Sequence, residues 1–317
     1  MDTVIRGLLL NETVNVVAIS GKDMVENARK THDLSRVCTA ALGRVLLAVS
    51  MMSAKLKSKS DTITVTVAGN GPIGNITVVG REGGVIKGYV TNPDVELPLN
   101  AQNKLDVGGA VGHTGELRVI RDFSLKEPYV GSCHLVNGEI AEDFARYFAV
   151  SEQQPSLVYL GVRVEPVSGT VRSAAGLILA PLPNCPDEEL DRLESLGTRI
   201  SELSKCMDDG ETLEDALSDL FNGFDFRITE RLSPMFRCDC SRERLSGVLV
   251  SLGRDELRSI IEEDGQAEIV CRFCNTKYMF EREELETLLS YAESVEEKAE
   301  ENAGKNAEDN AEENNEQ

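Results

Sequence analysis

Two stretches near the carboxyl end of the chain, MFRCDCSRER (residues 235–244) and IVCRFCNTKYMF (residues 269–280), decide how the chain is organised. The first contains a C-x-C pair and the second a C-x-x-C pair, and thirty residues separate the two pairs. Four thiols in this pattern form either a disulfide framework, a redox-active dithiol, two unrelated pairs, or the ligands of a single metal ion.

The spacing within each pair favours a metal site. In an extended segment, residues i and i+2 point to the same side, so Cys238 and Cys240 can face one ion. Cys271 and Cys274 lie in a C-x-x-C turn between two stretches with strand character, which is typical of a zinc knuckle. Because four thiolates suit tetrahedral Zn²⁺, we predict that these cysteines bind one zinc ion.

The other interpretations fit this sequence less well, although they stay open. A thioredoxin-type C-x-x-C needs its first cysteine at the amino end of a helix, whereas a strand is predicted to follow here. Structural disulfides are rare in the cytoplasm, where thiols stay mostly reduced. Two unrelated cysteine pairs remain the simplest alternative.

Zinc would also decide whether this part of the chain folds. A module of about 55 residues with few large apolar side chains has a small core. Structural zinc contributes about 10–16 kcal/mol in zinc-finger peptides, whereas whole domains are stable by about 5–15 kcal/mol. We therefore expect loss of zinc to unfold the module. Oxidation is a plausible trigger, because each pair can also close as a disulfide.

The charge of the chain argues against a nucleic-acid partner. Lys and Arg number 33 against 54 Asp and Glu, which gives a net charge of −21. Residues 293–317 carry −8 of this, so the rest of the chain carries −13. A polyanion repels phosphate backbones, and no dense run of Lys and Arg offsets that repulsion.

The amino terminus does not resemble a secretory signal. Residues 1–16, MDTVIRGLLLNETVNV, have an acid at position 2 and a short apolar run that is broken by Asn11 and Glu12. No apolar run was expected to reach the roughly 18 residues of a membrane span. We therefore predict a cytoplasmic protein with no membrane partner.

Residues 1–180 are predicted to form one α+β domain. Two strands joined at Asn11 and Glu12 precede a long apolar helix within residues 33–57, and a Gly-rich meander of strands follows. A second helix within residues 138–156 and two more strands complete it. The antiparallel character indicates an α/β sandwich-like arrangement rather than a doubly wound parallel sheet.

One motif in this domain matches the sequence pattern of a dinucleotide-binding site. Gly69, Gly71 and Gly74 in AGNGPIG satisfy G-x-G-x-x-G directly after a predicted strand. A dinucleotide site needs a helix to begin there, because the helix N–H groups hold the pyrophosphate. Since Pro72 interrupts the motif and a strand pattern resumes after it, we predict a hairpin turn.

Residues 181–235 are predicted to be a helical linker whose order is conditional. Its part 181–222 holds twelve acids against three bases, so its charges repel one another. Its apolar stripe is narrow, and short helices of this kind need a surface to dock on. We predict that the stripe docks on the sheet of the first domain only while the zinc module holds the linker there. The stripe consists of Leu190, Leu193, Ile200 and Leu203.

The predicted organisation ends with two further segments. Residues 236–291 form the zinc-binding module, and residues 292–317 form an acidic tail rich in Glu, Ala and Asn. This composition is typical of disorder, so we expect the tail to be a solvating appendage.

Three stretches resemble the redox-regulated heat shock protein 33 family, the 33 kDa bacterial chaperonin. They are FDFRITERLSPMFRCDCSRER (residues 224–244), GEIAEDFARYFAVSEQQPS (residues 138–156) with YLGV shortly after it, and the C-x-x-C segment. The resemblance spans roughly residues 1–290 and leaves the acidic tail outside.

The resemblance implies an ATP-independent chaperone that is inactive while reduced and zinc-bound. Oxidation would form the disulfides Cys238–Cys240 and Cys271–Cys274, release zinc and unfold the linker. The protein would then bind unfolding clients, often as a homodimer, and pass them to ATP-dependent foldases after reduction. Such a protein is not an enzyme, so no catalytic residue is proposed.

The three histidines share no metal-ligand spacing, and no Ser/His/Asp or paired-carboxylate arrangement stands out. Two rival functions remain: a zinc-ribbon nucleic-acid-binding or transcription factor, and a thiol-disulfide oxidoreductase. Cys38 and Cys133 are expected in the core, and His32, His113 and His134 in ordinary structural roles. Cys185 and Cys206, on either side of the first linker helix, are expected to be surface or packing residues, with a redox role as the alternative.

Overall fold

The computed structural model describes residues 1–294. They form two compact units, Met1–Cys238 and a second one that begins at Asp239. Residues 292–294 are helical, and from residue 295 onwards the tail predicted to be disordered lies outside the described residues.

The first unit consists of strands and helices that alternate irregularly along the chain. Its strands are β1 (Thr3–Leu9), β2 (Val14–Ser20), β3 (Thr62–Gly69), β4 (Asn75–Arg81), β5 (Val85–Val90), β6 (Gly115–Asp122), β7 (Tyr129–His134), β8 (Leu157–Val164), β9 (Val171–Pro181), β10 (Arg227–Leu232) and β11 (Met235–Phe236). Its helices are α1 (Lys22–His32), α2 (Arg36–Ser53), α3 (Val107–Val111), α4 (Ala141–Val150), α5 (Asp187–Glu194), α6 (Gly197–Ser201), α7 (Leu203–Asp208) and α8 (Leu213–Leu220).

These strands form two sheets. The first has the order β10-β1-β2-β9-β8 and is antiparallel throughout. The second has the order β11-β5-β4-β3-β6-β7, and only the short β11 pairs in parallel with its neighbour. The predicted antiparallel α+β class is therefore confirmed.

Helix α2 forms the centre of the first unit. Sixteen of its eighteen residues are buried, and it packs in one apolar cluster with side chains from both sheets. Ser35 caps the helix by accepting a hydrogen bond from the Cys38 backbone N–H. Among residues 1–294, α2 alone is long and apolar enough to suit a membrane span, which the sequence analysis did not foresee. Its burial instead identifies a core helix.

The glycine-rich motif lies in the β3–β4 hairpin, as predicted. A Cβ atom at Gly69 or Gly71 would collide with the backbone of Ala110 or Val111 in α3. Gly74 has a φ of +69°, which favours glycine. These glycines therefore allow close backbone packing, and no helix begins after them to bind a phosphate.

The linker helices α5 to α8 cover the outer face of the first sheet. Leu193, Ile200 and Leu203 of the predicted stripe are buried there, and Leu190 is partly buried. Thr212 caps α8 by accepting from the Asp215 N–H, as its sequence indicates. After α8 the linker segment continues as strand β10, which the sequence analysis did not foresee.

The second unit is small. It contains α9 (Arg242–Val250), α10 (Arg254–Glu263), the hairpin of β12 (Gln266–Val270) and β13 (Lys277–Glu281), and a helix α11 over residues 282–294. Its fully buried apolar side chains are few, and Leu257, Phe280 and Leu285 lie at their centre. A core of this size contributes little stability by itself.

Candidate metal centre

The structure brings the four predicted cysteines together. The sulfur atoms of Cys238, Cys240, Cys271 and Cys274 all lie within 4.8 Å of one another. Cys271 is buried, and the other three are partly buried. Among residues 1–294 this is the one group of His, Cys, Asp or Glu side chains placed to hold a metal ion.

The C-x-x-C pair is positioned by a tight turn between β12 and β13. The Cys271 N–H donates to the Thr276 carbonyl, while the Cys274 and Asn275 N–H groups donate to the Cys271 carbonyl. Asn275 has a φ of +57°, a conformation that asparagine tolerates better than most residues. The turn thus presents both thiols on one side, in the strand–turn–strand arrangement that the sequence predicted.

The C-x-C pair lies on an irregular extended segment. This segment ends at Ser241, whose hydroxyl caps α9 by accepting from the Arg244 N–H. The helix therefore begins two residues after Cys240. The Sγ atoms of Cys240 and Cys274 lie 3.4 Å apart.

Two hydroxyl groups that the sequence pattern does not predict contact the thiols. The Tyr278 hydroxyl lies 3.2 Å from Cys240 Sγ, and the Thr276 hydroxyl lies 3.2 Å from Cys274 Sγ. Alternation along β13 places Tyr278 on the hairpin face opposite Met279, but the sequence does not indicate that the thiols lie beside that face. Each cysteine pair thus receives one hydroxyl contact.

These contacts shift ionisation at the cluster. The hydrogen bond with Cys240 raises the pKa of the Tyr278 hydroxyl to about 12, so this group stays protonated and can donate to sulfur. Burial alone would raise the pKa of the Cys274 thiol, but hydrogen bonds from Thr276 and the neighbouring thiols lower it to about 7. These contacts therefore favour the thiolate at Cys274, which is the form that binds metals and reacts with oxidants.

The cluster fits a tetrahedral thiolate-binding ion. Four sulfurs at Zn–S distances near 2.3 Å lie about 3.8 Å apart, which is within the spread of the thiols here. Sulfur-only ligands favour zinc over hard cations such as magnesium or calcium, which prefer oxygen. The chemistry of the donors thus suits one Zn²⁺.

The other cysteines lie away from the cluster. Cys38 and Cys133 are buried in the first unit, as predicted, and burial raises the pKa of both thiols. Cys185 precedes α5 and Cys206 lies in α7, and both are partly buried against the apolar cluster between the linker helices and the first sheet. Burial raises the pKa of Cys206. A raised thiol pKa lowers reactivity, so Cys38, Cys133 and Cys206 have packing roles, while for Cys185 a packing role follows from its partial burial alone.

The histidines are also separate from the cluster. His113 Nδ1 lies 2.9 Å from the Asn137 carbonyl, and His32 packs edge-on against Phe236 with ring centroids 6.3 Å apart. His134 ends strand β7. Ordinary structural contacts therefore account for His32 and His113.

Comparisons with known proteins identify the family of the chain. A model of the Hsp33 protein family matches residues 2–281. The chain is 46% identical over 289 residues to the 33 kDa chaperonin of Alkaliphilus oremlandii, covering 91% of this chain and 96% of the relative. It is 42% identical over 288 residues to the 33 kDa chaperonin of Clostridioides difficile, covering 91% and 98%.

A solved structure shares the fold. The crystal structure of the 33 kDa chaperonin (heat shock protein 33 homolog) from Thermotoga maritima superposes with a TM-score of 0.83 at 38% sequence identity. The match covers 91% of this chain and 98% of that one. This chain therefore belongs to the Hsp33 family of chaperones.

Proposed function

We propose that the protein is a redox-regulated, ATP-independent holdase. In the reduced state one zinc ion bound by Cys238, Cys240, Cys271 and Cys274 keeps it inactive. Oxidation activates it to bind unfolding proteins and prevent their aggregation. The observation that carries this proposal is the convergence of four thiols at metal-binding distances in a chain of the Hsp33 family.

The proposed activation converts four thiolates into two disulfides, Cys238–Cys240 and Cys271–Cys274. The formation of each disulfide from two thiolates transfers two electrons to an oxidant such as peroxide or hypochlorous acid. Two equivalents of a two-electron oxidant therefore oxidise all four cysteines. The sulfurs then no longer bind the ion. The small core of the second unit supports unfolding at this point, because structural zinc contributes energy comparable to the stability of a whole domain.

The linker is the element that we propose to respond. Its helices bury several apolar side chains against the first sheet, and each buried Leu or Ile is worth about 1.5–3 kcal/mol. Undocking would expose the linker stripe and the sheet face together. Contiguous apolar surface of this kind binds other proteins, which supports the client-binding role.

One ion-pair group anchors the linker to the sheet. Asp208 at the end of α7 is held 3.1 Å from Arg163 Nε and 2.6 Å from an Arg172 guanidinium nitrogen. The Asp208 side chain is 6% exposed, so the two arginines compensate a largely buried charge. Because the linker is strongly acidic, loss of this contact favours release.

We also propose a cofactor, partners and a cellular location for this activity. Zn²⁺ is the regulatory cofactor, clients are unfolded or partly unfolded proteins, and ATP-dependent foldases receive them after reduction. The activated protein is a homodimer in the cytoplasm, without nucleic-acid or membrane partners. The acidic charge of the chain supports the last point.

The test compares reduced protein with protein treated with peroxide and heat. Suppression of aggregation of a purified heat-labile enzyme is measured by light scattering, and zinc release is followed in the same samples with a colorimetric chelator. We expect only the oxidised, zinc-free sample to protect. Protection by the reduced sample, or turnover in an insulin-reduction assay, would instead favour a constitutive chaperone or an oxidoreductase.

A further inference from the structure

Strand β8 is the last strand of the first sheet. On one side it pairs with β9, and on its other side no strand pairs with it within the described part of the chain. Its sequence LVYLGVRV is apolar apart from Tyr159 and Arg163, and most of its residues are partly exposed. An apolar edge strand of this length is a template on which another extended chain can pair.

A groove of about 530 Å³ runs along this edge. Its lining includes six consecutive residues of the strand, Tyr159–Val164, and also Leu99, Lys104 and Leu105 of the loop between β5 and α3. Six residues of strand span about 20 Å, and the volume is in the usual range of about 300–1,000 Å³ for ligand sites. The groove therefore has the shape of a site for an extended segment.

The charged side chains that line the groove are all cationic, whereas the protein as a whole is acidic. The lining includes four cationic side chains and no carboxylate, although the chain as a whole carries −21. Three of the cations have acidic partners beside the groove, whereas Lys104 is exposed and forms no ion pair within residues 1–294. The cations are Arg36, Arg44, Lys104 and Arg163.

We propose that this groove binds an extended client segment as an added strand on β8. The preferred segment alternates apolar and acidic side chains, so that backbone groups pair with the edge and acids face the cations. This proposal rests on the proposed holdase function and adds the mode by which clients are recognised.

The linker forms one wall of the groove. The Tyr159 hydroxyl donates to Ser204 Oγ at 2.8 Å, and Arg163 contacts Asp208 at 3.1 Å. Both strand residues are thus occupied while the linker is docked. Undocking frees them and removes that wall, so we expect the oxidised protein to bind the segment at least tenfold more tightly than the reduced protein.

The test uses a fluorescein-labelled eight-residue peptide of alternating valine and glutamate. Binding to the full-length reduced and oxidised protein is measured by fluorescence anisotropy, and amide hydrogen exchange locates the peptide. We expect β8 amides to exchange at least tenfold more slowly at saturation. Lys104→Glu should weaken binding at least fivefold. Lys59→Glu is the control and should leave binding unchanged. Lys59 is also exposed but follows the carboxyl end of α2, whereas the groove is lined by residues from the amino-terminal half of that helix.

A second peptide with N-methylated backbone amides separates strand pairing from general adhesion, and it should not bind. Equal binding of that peptide, or no protection of β8, would overturn the groove proposal. Sedimentation showing dimers with protected β8 amides in the absence of peptide would also overturn it, in favour of a second copy as the occupant. If the same oxidised sample still suppresses aggregation, the holdase function stands while the groove proposal fails.

Discussion

Replacing Leu217 by alanine should release the linker without oxidation. Leu217 lies in α8, its side chain is fully buried, and it packs in the cluster between the linker helices and the first sheet. A buried Leu→Ala change costs about 2–5 kcal/mol. At about 1.4 kcal/mol per factor of ten, the docking equilibrium should shift roughly 30-fold to several thousand-fold towards the undocked linker.

The assay is amide hydrogen exchange of the reduced protein with zinc content measured in parallel. Amides of α8 should exchange faster by the same factor, and binding of a hydrophobic dye should increase while zinc stays bound. Leu117→Ala is the matched control, because Leu117 in β6 is equally buried but belongs to the cluster around α2. Unchanged exchange in α8, or an equal local increase in the control, would refute the reasoning.

Three further changes should separate the contributions of zinc, the linker anchor and an acid-sensitive ion pair. Cys271→Ser should abolish stoichiometric zinc binding and unfold the second unit by far-UV circular dichroism, whereas Cys185→Ser should retain both zinc and helix content. Asp208→Asn should weaken linker docking by about 1–3 kcal/mol, because Arg163 and Arg172 lose a charged acceptor. Proteolysis within α7 and α8 should therefore become faster. An unchanged cleavage rate would show that Asp208 does not anchor the linker. The hydrogen bond from Arg29 holds the pKa of Glu26 at about 2, so this carboxylate stabilises the fold above its usual pKa near 4.5 and the contribution is lost as pH falls towards 2. The free energy of unfolding should therefore fall by about 2–3 kcal/mol less between pH 4.5 and pH 2 in Glu26→Gln than in the unchanged protein. An equal fall in both proteins would contradict this assignment.

Much of the first unit is predictable from local patterns. The β1–β2 hairpin, the buried helix α2 and the β3–β5 meander follow from apolar periodicity and turn residues, which act over a few positions. The hairpin role of Gly69 and its neighbours was also predictable, because Pro72 and the following strand pattern exclude a helix there.

Strands β10 and β11 were not predictable in the same way. Residues 227–232 pair with β1, more than 200 positions earlier, and residues 235–236 pair in parallel with β5. Such pairing depends on which sheet edges remain open after the rest of the unit has folded. That information is absent from the local sequence, so the linker segment was expected to be helical throughout.

The four-cysteine cluster was likewise predictable only in part. Spacing alone predicted which four cysteines converge, because C-x-C and C-x-x-C each place two thiols on one side. Spacing did not predict the hydroxyl contacts of Thr276 and Tyr278, since these depend on the register of the β12–β13 hairpin. The ion pairs of Asp208 could not be predicted from the sequence either, because its arginine partners lie in two different strands, β8 and β9.

The most direct test of the account follows zinc and the linker in one oxidation time course. Freshly purified, thiol-protected protein should contain one zinc per chain. Peroxide with heat should release it in step with the loss of four thiols, the opening of α5 to α8 in hydrogen exchange, and the onset of aggregation suppression. Absence of zinc from the reduced protein, or a metal-free form whose linker stays protected and which binds no clients, would contradict the account.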